Sequence, residues 1–306
     1  MTTKDFFWAS DQRLRPIWRF VLSVVVVVMA LGLVSLVPRS SSTLGGSRTV
    51  LLMALLLALL VGGFAALLYC FDRERGRLLR AMGLPFNGDA LRDAGLGVVF
   101  GMTMVSTCVG AVAAMGSAHF QVGSVRAGPV AAVAVATLVA AMNEEVIFRG
   151  YPFQRLVEAI GAPLAVTVLA ALFGAGHLRN PNATIWGALN TVGFGVFTAL
   201  AYLRTRSLWL PWGMHFSWNL GLGLGYGLTV SGINLFSVVV HGSLTGPLWL
   251  TGGSYGIEGS ATATVALLVA TVILLALVKQ RPRPQITAGE NPPPDDPDQV
   301  PLGRIQ

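Results

Sequence analysis

Eight apolar stretches, nearly free of charge, divide this 306-residue chain: Ile17–Val37, Thr49–Phe71, Ala94–Gly116, Pro129–Phe148, Ala162–His177, Ala183–Leu203, Leu208–Leu228 and Ala261–Val278. A helix needs roughly 20 residues to cross the hydrocarbon of a bilayer. Inside lipid only helices and closed barrels satisfy their own backbone hydrogen bonds, and membrane strands run to only about 9–11 residues. The runs therefore predict an all-α polytopic membrane protein of about eight transmembrane helices. Charged residues are 11% of the chain, against about 25% in a soluble domain. The first run is too long for the core of a signal peptide and reads as a retained signal anchor.

The basic residues set the orientation. With the N-terminus inside, eight spans return the C-terminus to the same side, and 17 of the 21 Lys and Arg fall on cytoplasmic segments, leaving Arg39, Arg48, Arg126 and Arg179 outside. Both termini are then cytoplasmic. The net charge of +7 is explained by topology and anionic lipid at the inner face, with no call for nucleic acid. Residues 1–16 form a cytoplasmic segment, 17–279 the membrane domain, and 280–306 a disordered tail rich in Pro and Asp. The loop Asp72–Arg92 is basic. In the segment Thr229–Ser260, Ile233–Val240 reads as a short re-entrant piece in an outer loop. Cys70 and Cys108 lie in or beside spans, with no disulfide implied and no metal-type spacing.

Against this background the adjacent pair Glu144 and Glu145 stands out, since a charge at bilayer depth costs ~2.5 to more than ~10 kcal/mol and marks function. Glu145 and Arg149 are at i and i+4 in the favourable order for an ion pair. Glu144 points about 100° away on the helix, free for chemistry. Two histidines lie at similar depth: at 1.5 Å per residue, Glu144, His177 and His215 fall roughly 16, 21 and 12 Å from their cytoplasmic ends. His215 and Asn219 share a helix face. Polar groups in a membrane turn inward and meet, so Glu144, Glu145, Arg149, His177, His215 and Asn219 are expected on one intramembrane cavity. A carboxylate, two imidazoles and an amide supply a proton acceptor and oxyanion donors for peptide hydrolysis. Phe173 reads as packing, and His119 and His241 as incidental.

Three motifs carry a resemblance. Glu144-Glu145-Val146-Ile147-Phe148-Arg149 is EExxxR, Phe173–His177 is FxxxH and His215–Asn219 is HxxxN. In this order they resemble the CPBP family of CAAX-protease and bacteriocin-processing membrane proteins, which includes the type II CAAX prenyl endopeptidase. The likeness covers roughly Ala140–Leu220, the centre of a motif core at about 129–228. It implies a glutamic-type intramembrane peptidase, with Glu144 as the base, His177 holding the same water, and His215 and Asn219 as the oxyanion hole. Glu145 and Arg149 would hold the helix and the charge balance. The family was first described as metallopeptidases, and Glu144, His177 and His215 would be the ligands of a zinc or other divalent ion. Without HExxH or a close histidine pair, a metal-independent mechanism is favoured and no cofactor is expected.

Peptide or membrane-protein substrates and the lipid bilayer are the implied partners. The 19 arginines against two lysines and short loops point to a bacterial cytoplasmic membrane, where a prenylated substrate is not assumed. A non-catalytic scaffold or bacteriocin-immunity protein is one alternative. A proton-coupled transporter is another, although the chain has no inverted repeat. Oligomeric state is not readable from the sequence.

Overall fold

In the first helix the usual sorting of residues is turned inside out. Helix α1 (Pro16–Ser35) buries Arg19 and Ser23, while Val28 and Met29 are 63% and 60% exposed. Polar groups inside and bare aliphatic groups outside suit a helix whose solvent is lipid. The computed structural model describes residues 6–9, 13–36, 45–72, 78–123, 127–233 and 239–281. Its helices follow the apolar runs: α2 (Gly45–Leu67), which ends in a π-helical turn at Leu68–Asp72, a short α3 (Leu78–Ala81), and α4 (Gly88–Ala114). Then come α5 (Ala127–Phe148), α6 (Tyr151–Ile160), α7 (Ala162–His177), α8 (Ile185–Thr205), α9 (Trp209–Leu220), α10 (Leu248–Thr251) and α11 (Ala261–Leu277).

Among the described residues, five helical segments are long and apolar enough to cross a membrane: Pro16–Ser35, Leu51–Asp72, Gly88–Ala114, Ala127–Ile160 and Ile185–Thr205. The expected fifth and eighth runs are α7 and α11, apolar but shorter. The seventh is α9 continued by a π-helical turn at Gly221–Gly225. The all-α expectation omits a two-stranded antiparallel ribbon, β1 (Ala118–Val122) and β2 (Val240–Leu244), with Gln121 opposite His241. Between residues 240 and 260 the chain forms β2, α10 and two 3-10 turns, Gly253–Tyr255 and Ile257–Gly259. Most of the expected re-entrant piece (234–238), part of the basic loop (73–77) and the tail from 282 lie outside the described residues. Arg281 is placed, paired with Asp93 at 2.7 Å.

The long apolar stretch through residue 160 is broken by local chemistry. Gly150 ends α5, its N–H on the Glu145 carbonyl at 3.0 Å, and Pro152 lies in the first turn of α6, where a missing N–H costs nothing. A buried Asp72 then fastens α6 to its neighbours. It accepts from the Tyr151 hydroxyl at 2.7 Å and Arg155 at 2.9 Å and pairs with Arg19 of α1.

Two apolar clusters flank the middle of the molecule. One joins α1, α2 and α5–α7, with Phe64 stacked on Tyr151 at 5.8 Å. The other joins α4, α8, α9 and α11 around Val105, Phe197 and Met214. The first contains Val146 and the second Met214, the neighbours in sequence of Glu145 and His215, so the polar groups sit at the seam.

Close approach of α4 to α9 fixes the HxxxN helix. A Cβ on Gly97 would stand 2.9 Å from the Gly213 Cα and would strike the Leu210 carbonyl, and one on Gly101 would strike Ser217 and the Met214 carbonyl. Small residues at such crossings let membrane helices touch by their backbones. Gly97→Ala and Gly101→Ala are therefore expected to lower the thermal midpoint in detergent, the overpacking costing about 1–3 kcal/mol. Gly110→Ala on the same helix meets nothing within 4 Å and is expected to leave the midpoint unchanged or raised, because alanine is the better helix former.

Candidate active site

Glu145 is fully buried, and one of its oxygens serves two partners. Oε1 lies 3.2 Å from Arg149 Nη1 and 2.8 Å from His215 Nδ1. The first contact is the i,i+4 ion pair that helical spacing predicts. The second joins α5 to α9, a contact that helical spacing, which pairs Glu145 with Arg149 alone, does not predict. Arg149, 1% exposed, also donates from Nη2 to the Gly195 carbonyl at 3.2 Å. A Cβ at Gly195 would come within 3.0 Å of the Ala170 Cα and 3.5 Å of that same guanidinium nitrogen. The glycine thus makes room for the cation where α5, α7 and α8 meet.

Glu144 faces the other way. Its side chain is 37% exposed and lines a cavity of about 390 Å³ together with His177, His215 and Asn219. Four of the six expected residues therefore share one cavity. Glu145 and Arg149 do not line it; they lie behind the wall, because their charges are used up on each other and on His215. His215 Nε2 is 3.6 Å from Glu144 Oε2, so one imidazole spans the two carboxylates.

The hydrogen bonds fix what each ring offers. His177 Nδ1 is 2.8 Å from the Phe173 carbonyl; a carbonyl accepts and never donates, so Nδ1 carries the proton and Nε2 keeps a lone pair. An ionised Glu145 is likewise only an acceptor, so the proton of its bond to His215 sits on Nδ1. Neutral His215 then has a lone pair at Nε2, and the imidazolium has a donor there. Phe173 does more than pack. Its ring lies 4.8 Å from the Arg149 guanidinium carbon and 4.6 Å from the His177 ring, edge to face.

Several lining residues escaped sequence reasoning. Glu258, Ser231, Asn190, Thr191 and Asn180 border the same cavity, and only Glu258, a lone acid in an otherwise apolar and glycine-rich stretch, carried any signal. His119 bonds Thr245 across the ribbon at 3.1 Å, and neither it nor His241 borders the cavity. Glu144, His177 and His215 all border the cavity, yet among the described residues no three His, Cys, Asp or Glu side chains are placed to hold a metal ion.

Residues 126–221 match the family model described as Type II CAAX prenyl endopeptidase Rce1-like. The match spans all three motifs and bears out the CPBP resemblance over that stretch. No curated protein and no solved structure matches. With the apolar helices, the match supports a CAAX-protease-like peptidase that is a multi-pass integral membrane protein.

Removing one member of a buried pair leaves the other charge uncompensated, at ~3–5 kcal/mol. Glu145→Gln is thus expected to lower the thermal midpoint strongly, and Glu144→Gln to leave it nearly unchanged. Melting curves of the two variants in one detergent decide the matter; equal midpoints would mean that Glu145 holds nothing.

Proposed function

We propose that the protein is an intramembrane endopeptidase of the glutamic type, cleaving a peptide or membrane-protein substrate at the cavity. One observation carries this reading: of two adjacent glutamates, one is consumed by Arg149 and His215 while the other faces a cavity lined by two imidazoles and an amide. Glu144 takes a proton from water, and the Nε2 lone pair of His177 accepts a hydrogen bond from the same water. The hydroxide attacks the scissile carbonyl carbon. The developing oxyanion receives hydrogen bonds from the Asn219 amide and from Nε2 of His215 in its imidazolium form, with Glu145 balancing the charge at the far nitrogen. The C–N bond breaks as Glu144 returns the proton to the leaving amine, giving a carboxylic acid and an amine, and the acid then loses its proton to solvent.

Preorganised donors of this kind are typically worth ~10²–10³ in turnover, and a general base another ~10²–10⁴. The distribution of Lys and Arg supports cytoplasmic termini, and the 19 arginines against two lysines support a bacterial cytoplasmic membrane. His and Glu are ligand types that suit zinc, but these side chains are not placed to hold an ion together, no step above requires one, and His215 Nδ1 is already committed to Glu145.

Glu144→Gln keeps the shape of the side chain and loses the base, so cleavage of a quenched peptide in liposomes is expected to fall at least ~10²-fold with folding retained. Turnover equal to that of the native protein would remove Glu144 from the mechanism. Dialysis against a strong chelator, followed by its removal, is expected to leave turnover unchanged. Loss of activity restored by added zinc, with stoichiometric zinc in the active protein, would make Glu144, His177 and His215 metal ligands.

A further inference from the structure

The cavity has a second carboxylate. Glu258, in the 3-10 turn Ile257–Gly259, is held by groups from two other segments: Trp218 Nε1 donates to Oε1 at 3.0 Å, and the Ser231 hydroxyl donates to Oε2 at 3.0 Å, joined there by the Ser231 backbone N–H. Ser231 takes up a left-handed backbone with φ of 46°, a conformation unusual outside glycine. That backbone spends its N–H on Glu258. Asn190 pins the same turn from α8, donating to the Glu258 and Ser260 carbonyls at 2.8 and 2.9 Å. A carboxylate offers about four lone-pair positions, and these three donors occupy three of them, so one on Oε1 remains.

The charge of the lining gives that lone pair a meaning. Of the described residues around the cavity, Glu144 and Glu258 carry formal charge, and neither Lys nor Arg is among them. Arg149 lies behind the wall, with Glu145 as its ion partner. Among the described lining residues the one cation of the proposed mechanism is the His215 imidazolium, whose Nε2 is given to the oxyanion. A substrate carboxylate beside Glu258 would therefore meet a like charge with no free cation to receive it. A substrate cation would be matched.

Distance narrows the position. Trp218, which holds Glu258, is three residues beyond His215 on α9, or about 4.5 Å of rise. An extended peptide advances ~3.3 Å per residue, so a substrate lying along α9 would bring a residue one or two positions from the bond that Glu144 attacks up to Trp218 and its partner Glu258. We infer that Glu258 is a specificity-determining residue that selects an internal Lys or Arg next to the scissile bond, and disfavours a substrate whose C-terminal carboxylate must enter the cavity. This rests on the peptidase reading above.

The test uses the full-length protein in liposomes and three quenched peptide pools, randomised except for one fixed residue, Lys, Met or Glu, near the centre. The native protein is expected to cleave the Lys pool ~10–100-fold faster in kcat/KM than the Met pool, and the Glu pool slowest. Glu258→Gln retains an acceptor for Trp218 and is expected to erase the difference between Lys and Met while still cleaving both. Equal cleavage of Lys and Met pools by the native protein would overturn the proposal. So would an equal slowing of all pools in Glu258→Gln, which would leave Glu258 as a support for Trp218. Absence of cleavage by the native protein would instead sink the peptidase reading. Retention of the Lys and Met pools by the Glu144→Gln protein then decides the role of Glu258 alone: preference for Lys supports it, and equal retention refutes it.

Discussion

One buried oxygen organises the site. Glu145 Oε1 takes hydrogen bonds from Arg149 on its own helix and from His215 seventy residues away, and everything catalytic in this account is arranged around that fact. A carboxylate buried this deeply is tolerable only because both partners reach it. In meeting them it ties α5 to α9 and fixes the proton on the inner face of the His215 ring. Glu144, one residue earlier and about 100° round the helix, is left facing the cavity.

How much of this could be read from the chain depends on range. The Glu145–Arg149 pair was legible because helical spacing alone places i and i+4 together. The helices were legible because lipid demands long uncharged runs, and all eight runs return as helical segments, though α7, α9 and α11 fall short of a full crossing. The Glu145–His215 bond was not legible, since nothing local says which imidazole a carboxylate will find across the bundle. Gly195 was hidden for the same reason: it looks like any glycine in a membrane helix until Arg149 is seen against its carbonyl. The ribbon was missed because five-residue strands are too short for alternation to be told from chance.

On the proposed reading the cavity couples catalysis to selection. Its lining includes residues of α5, α7 and α9, which carry the three motifs, and Ser231 and Glu258, which lie in loops that the motifs do not touch. Trp218 links the two: it sits beside Asn219 on α9 and donates to Glu258. A chain can thus keep the hydrolytic groups on rigid helices and alter its substrate through the loops, the usual division between scaffold and binding segments.

The division of labour between the glutamates is tested most directly at His215. In histidine-labelled protein at neutral pH, nitrogen-15 spectra, with the His215 signals assigned by their loss in His215→Gln, report which ring nitrogen carries a proton. A proton on Nδ1, hydrogen-bonded in the native protein and in Glu144→Gln but lost or weakened in Glu145→Gln, is the expected result. A proton confined to Nε2, or one disturbed equally by both substitutions, would contradict the account.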